Sequence, residues 1–545
     1  MKDLAPDPLP LRAPETVLRL SRMGVSMPTR LSFLRAVVRR LCQERATVTR
    51  PHWDMCADGY GTAVHHVQLG GHDYALVSVS RPLADAERSD RVIATAWDAA
   101  FVLFDGVPEP EDIARIAENA PLQEAGRFGP RDLVLSRANK SVRLWAEIVD
   151  ALRAGRQPDP ARIIEIGYLM RTTAVYGNGK FGIADRHVLA GRDGMEVPFA
   201  AEMLAVYLIR QFTLDLVQHV GGAPLDAALA RHLGVGNATG LGMAPFLVTH
   251  PVLLNNWMAA RETALARVLA QASASVDVQD RASVLAQRAL DHLGQWHVPS
   301  EEDDAALRAL EAEWAAFLPA FDSLGGDAPF AALWDRAQDR SEALQELLAA
   351  LLIELFPDEV DGLTDCMADP FGALPHPFAG TEALRAAIAR DWAWALEIDF
   401  AVPDAARRFW YVSADKLEPR LGDRFAEHGA AWESPLDIAR RVQRLAADLP
   451  DTDQPVSTFL RDFPAHAMAV ERVATLAAHP YAEIRDNLIA ATCRPIDMLR
   501  CKLSFFGATK FDPKSDLWTR ITLAQGAPLG DALTPEGDDW WLPSL

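Results

Sequence analysis

The chain has 545 residues, a formal charge of −21, and is 49% hydrophobic and 24% charged. That composition excludes collagen-like, low-complexity and wholly disordered chains, and the length accommodates roughly three domains of about 150 residues. The acidity disfavours broad nucleic-acid contact, because neutralising phosphates needs a basic surface.

The first residues carry Asp3, Asp7 and four prolines before any apolar run, which is unlike a secretory signal. No window offers 18 uncharged apolar residues in a row, so a membrane span is not expected. Five scattered cysteines form neither a disulfide framework nor a CxxC metal knuckle. Together these features predict a cytoplasmic protein without structural zinc.

Residues 1–50 hold ten Lys/Arg against four Asp/Glu. Leu34, Val37, Val38 and Leu41 recur at helical spacing within Thr29–Glu44, with Arg35, Arg39 and Arg40 between them. This predicts a docked helix whose arginines face the acidic remainder of the chain.

Thr62–Leu69 and His72–Ser80 flank Gly70-Gly71, a two-residue hairpin signal. Pairing about that turn puts His65, Val67, Leu69, His72, Tyr74 and Leu76 on one face and His66 with Asp73 on the other. Four histidines between His52 and His72 invite a metal reading, but the split between faces argues for a His66–Asp73 polar pair instead. Phe101–Phe104 continues the extended region.

From about residue 109 to 490 the periodicity reads as helical, with candidates at Leu133–Leu152, Arg162–Arg171, Phe199–Val220, Leu253–Ala272, Val278–Leu293, Asp303–Phe317 and Glu342–Phe356. Residues 301–365 contain seventeen acids and three arginines, read as a solvated face. Arg500–Phe506 and Trp518–Leu523 look extended, with a loop between them, and those runs can add to the N-terminal sheet.

The expected architecture is therefore α+β and predominantly helical. A large multi-helix body carries a small antiparallel sheet near the N-terminus. The regions expected are 1–125 (helix plus small sheet), 126–300 (central helices with glycine-rich loops), 301–490 (acidic helices) and 491–545 (a mixed tail).

Of 54 basic residues only seven are lysine, and asparagine is equally scarce at seven. A lysine kept in so arginine-rich a chain can be there for its compact, deprotonatable ammonium. Three clusters gather these rare residues. The first, Arg171 to His187, includes Tyr176, Asn178, Lys180 and Arg186 among three glycines, a loop suited to close anion approach. Tyr176 and Lys180 have the spacing of a short-chain dehydrogenase pair, but Gly-Asn-Gly between them breaks the helix that pairing needs. The second, Gly234 to Pro245, reads as a glycine-rich connection holding Asn237 and Thr239, with His250 just downstream. No strand is expected before it, which argues against a dinucleotide fingerprint. The third, Lys502 to Asp516, offers Lys510 in a flap or anion clamp.

The function expected is a cytoplasmic metabolic enzyme for a small carboxylate- or phosphate-bearing substrate. Lys180, Tyr176 and His250 would move protons, while Arg171, Asn178, Arg186, Asn237, Thr239 and Lys510 would bind substrate. Elimination, transfer and hydrolysis all fit such a site, and no cofactor or metal is assigned. The alternative is a non-catalytic helical scaffold or regulator that self-associates or binds a protein partner.

Overall fold

The computed structural model describes residues 25–88, 96–174, 192–197, 199–240, 251–368, 378–399, 437–466, 503–515 and 518–545, with isolated residues and three two-residue strands between. Tyr176, Asn178, Lys180, Arg186 and His250 lie outside the described residues.

After helix α1 (Phe33–Gln43) the chain forms strands β1 (Thr49–Met55), β2 (Gly61–Leu69), β3 (His72–Ser80) and β4 (Ala99–Asp105). Helix α2 (Pro110–Asn119) leads to β5 (Asp132–Lys140), and the short helices α3 (Trp145–Arg153) and α4 (Pro160–Ile166) lead to β6 (Tyr168–Ala174). Helices α5 (Ala200–Gly221) and α6 (Ala227–His232) then return the chain to β7 (Gly234–Gly240). Helices α7 (Pro251–Leu269), α8 (Val276–Gln295), α9 (Glu301–Phe317), α10 (Pro329–Arg336) and α11 (Glu342–Leu355) build the helical body. Ser275, Ser300 and Ser341 cap α8, α9 and α11 by accepting a backbone N–H three residues on. Near the C-terminus come β8 (Lys510–Ser515) and β9 (Trp518–Leu523).

The small antiparallel sheet expected near the N-terminus is overturned. These strands form one mixed sheet of nine, ordered β1-β2-β3-β4-β5-β6-β7-β9-β8. Only β6 and β7 run parallel, joined by the crossover through α5 and α6; the other pairings are antiparallel. The hairpin about Gly70-Gly71 has the expected register, with His65 opposite Leu76 and Val67 opposite Tyr74. Three segments read otherwise from the sequence are strands. Residues 133–140 and 168–171 were expected inside helices, 172–174 in the loop after the second, and 234–240 in a glycine-rich connection. The first two are buried on both faces, so their apolar residues run together without the alternation of a half-exposed strand. Conversely, residues 503–506 are helical where an extended run was expected, and the loop expected after them contains β8.

Helix α5 crosses one face of the sheet from β2 to β7 and is buried for most of its length. The core there joins Leu204, Leu208, Phe212 and Leu216 of the helix to Val67, Leu76, Phe101 and Val235 of the sheet. On the other face, Ile116 of α2 closes a smaller core over Val77, Val102 and Leu135. Residues 384–473 contribute a separate apolar cluster around Trp392, Val442 and Phe459. No helix among the described residues is long and apolar enough to cross a membrane.

Two arginine clusters tie distant segments together. Arg210, buried in α5, donates to the carbonyls of Ala230, Arg231, Leu233, Ala527 and Pro528, and its desolvation pulls its pKa down to about 10. Arg30 donates to Asp361 at 2.5 Å, to Asp538 at 2.8 Å and to Glu354 at 3.3 Å, and Arg35 reaches Glu354 at 2.6 Å. The basic N-terminal segment thus docks on acids from the 301–365 region and the C-terminal tail.

Candidate functional site

Cross-strand partners share a face of a sheet. Register places Asn139 opposite Arg171, Arg171 opposite Gly236, Gly236 opposite Thr522, and Thr522 opposite Lys510. One row across β5, β6, β7, β9 and β8 therefore collects a residue from each of the three clusters picked out in the sequence. Arg171, Thr522 and Lys510 are all buried. Arg520, two residues before Thr522, lies on the same face by alternation and is buried too.

Asn237 falls on the opposite face, and the side chain of Thr239 lies outside the described residues. Asn237 pairs in register with Thr172 and donates from Nδ2 to its Oγ1 at 2.9 Å, inside the core covered by α5. The structure thus puts Arg171 and Lys510 on one face, three strands apart, and Asn237 on the other; of these residues only Lys510 lines the cavity described next. The expected glycine loop at 234–240 is strand for a packing reason. A Cβ on Gly236 would sit 2.5 Å from the Tyr168 ring, and one on Gly234 would sit 2.3 Å from the Leu523 carbonyl oxygen. The glycines make room for neighbours and not for a ligand.

A cavity of about 230 Å³ opens beside this row. Its charged walls are Lys510 from β8, Arg520 from β9, Arg143 from the segment before α3, and Glu165 from α4. Lys510 donates from Nζ to the Ile164 carbonyl at 2.6 Å, so its ammonium sits at the C-terminal end of α4, where a cation is favoured. Gly167, at φ 80°, ends that helix in the left-handed conformation and turns the chain into β6. Arg143 donates to Glu165 at 2.7 Å, and Arg162 holds the same carboxylate. Burial works to raise the Glu165 carboxyl, but Arg143 and Arg162 outweigh it and hold it below the usual range.

Beneath Lys510 lies a buried polar network. The Thr509 hydroxyl donates to Gln525 Oε1 at 2.8 Å, and Gln525 Nε2 approaches His232 Nε2 at 2.8 Å. An amide nitrogen can only donate, so His232 accepts and is neutral, with its proton on Nδ1. Desolvation, reinforced by Lys510, pushes its pKa down to about 3. His292 places its two ring nitrogens against the carbonyls of Thr509 and Pro543, at 3.0 and 2.9 Å, and fastens the C-terminal tail to the same strand.

The histidines near the first hairpin have separate partners: His65 with Asp215, His66 with Asp73 at 2.8 Å, and His72 with Asp105. No group of three metal-ligating side chains occurs among the described residues.

Arg143, Trp296, Arg520 and Thr522 line the cavity but were not picked out in the sequence. The available signal was the extended run Trp518–Leu523. Had its pairing with β8 been known, Thr522 would have fallen opposite Lys510, with Arg520 two residues along on the same face. No protein-family model, curated protein or solved structure matches the chain.

Proposed function

We propose that this cavity binds a small anionic metabolite carrying a carboxylate or a phosphate. The observation that supports it is the charge of the wall. Arg143, Lys510 and Arg520 line it with Glu165, and Asp512 stands opposite Arg520 in the β8–β9 register, in a chain whose formal charge is −21. Burying cations costs desolvation energy, and a concave site that concentrates them offers an anion both attraction and shape. In the enzymatic form of this reading, Tyr176, Lys180 and His250 act as proton donors or acceptors, with Asn178 and Arg186 on the substrate. The free thiols Cys42 and Cys56 fit a cytoplasmic setting.

Calorimetric titration with acetate, phosphate and their uncharged analogues tests the binding step. An anion is expected to bind while its neutral analogue does not. Arg520→Gln is expected to weaken the anion at least tenfold, about 1.4 kcal/mol. Binding unchanged in both Arg520→Gln and Arg143→Gln would refute the reading.

A further inference from the structure

The cavity is two-sided, and this narrows what it can hold. Opposite in character to its cations is an apolar wall: Ile166 at the end of α4, and Trp296, Val298 and Pro299 from the segment after α8. Ile166, Trp296 and Val298 are at most 9% exposed, while His297 between them is 65% exposed in its side chain and marks the rim. The alternation is that of an extended segment, with Trp296 and Val298 directed inward and His297 outward.

The ligand therefore meets charge and hydroxyl on the strand side, from Arg520, Lys510 and Thr522, and carbon on the other. A purely inorganic anion would leave the Trp296–Val298 wall wet, and a purely apolar ligand would leave the cationic side of the cavity unmatched. Size sets a further limit. A cavity of about 150 Å³ accepts benzene, so about 230 Å³ holds one ring with a short anionic arm and excludes a nucleotide.

We infer that the site is selective for a single-ring aryl, or similarly sized branched alkyl, carboxylate or phosphate, with its anionic group on Arg520 and Lys510 and its apolar part against Trp296 and Val298. This rests on the anion-binding reading above and specifies its ligand class. Arg143, engaged by Glu165 at 2.7 Å, closes the side of the pocket and is not the primary anion contact.

The test compares phenylacetate, acetate, inorganic phosphate, phenylacetamide and AMP by calorimetry on the full chain, with Trp296→Leu and Arg520→Gln as variants. Phenylacetate is expected to bind at least tenfold tighter than acetate, to compete with inorganic phosphate, and to exceed both phenylacetamide and AMP. Trp296→Leu is expected to bring phenylacetate down to the level of acetate while leaving phosphate unchanged. Arg520→Gln is expected to weaken all three anions. Equal binding of acetate and phenylacetate, or an unaltered preference in Trp296→Leu, overturns the ligand class and leaves the anion site standing. If none of the anions binds, both readings fall. Should Trp296→Leu not fold, the ranking of phenylacetate against acetate on the wild-type chain decides.

Discussion

His232 shows how one buried side chain sets a pH dependence. Its Nε2 accepts from Gln525 and its pKa is depressed from 6.5 to about 3, so between those values the unfolded chain takes up a proton that the folded chain refuses. Stability is then complete above the unfolded value and falls as pH drops from about 6.5 toward 3. The loss amounts to a few kcal/mol by the linkage relation, roughly 1.4 kcal/mol per pH unit. Urea denaturation at pH 7, 5.5 and 4 measures it. His232→Gln, which cannot titrate, is expected to reduce the slope over that window, with His292, pushed down to about 4 by burial, accounting for part of what remains; an unchanged slope would place the effect elsewhere. Lys510 belongs to the same neighbourhood. Its selection from the sequence rests on its being one of seven lysines, and rarity is visible without knowing the fold. Arg520 had no such mark, being one arginine among many.

The helices were legible because each carries a boundary in its own residues. Elements α8, α9 and α11 begin just after a capping serine, and their expected spans differ from the observed ones by a few residues at most. The central strands were not legible, because what makes them strands is a neighbour far away in sequence. Strand β7, Gly-Val-Gly-Asn-Ala-Thr-Gly, has no strand-forming composition on one of its faces. Its glycines are explained only by the Tyr168 ring from β6 and the β9 backbone lying against them. Gly236→Ala is accordingly expected to destabilise the protein by about 1–3 kcal/mol through overpacking, read from the urea midpoint. Tyr168→Ala removes the obstructing ring, so the double variant is expected to be less destabilised than the two single changes sum to. Strict additivity would mean that the contact does not govern the strand. The site was legible to the same extent. Of the cavity's lining only Lys510 could be named, and its place beside Arg520 and Thr522 depends on strand pairings that the sequence does not display.

At the scale of the molecule, charge that is unbalanced along the sequence is balanced in space. The acidic 301–365 region supplies Glu354 and Asp361, the tail supplies Asp538, and the N-terminal segment supplies Arg30, Arg35 and Arg39 to meet them. Glu354 is completely buried. Burial alone would raise its carboxyl, yet Arg35 and Arg30 prevail and hold it below the usual range. Removing one partner leaves buried guanidinium groups without their counter-charge, so Glu354→Gln is expected to cost on the order of 3–5 kcal/mol, measured by chemical denaturation. A loss below about 1 kcal/mol would show that the cluster is solvated and dispensable. The two outer strands of the sheet each carry a proline, Pro51 in β1 and Pro513 in β8. Proline at an edge removes a backbone donor and discourages a second chain from extending the sheet.

The pairing of β7 with β9 also has a consequence in time. About 280 residues separate Gly240 from Trp518. At roughly 5–20 residues per second of synthesis, the free edge of β7 waits about a quarter of a minute to a minute on the ribosome before its partner is made. Until then Lys510, Arg520 and Thr522 do not exist, and the cavity lacks a wall. A chain stalled or cleaved within that interval can hold seven strands and most of the described helices, yet it would present an open sheet edge to chaperones. The cavity therefore takes shape only when residues 510–522 reach the sheet, long after the seven strands they close have been made.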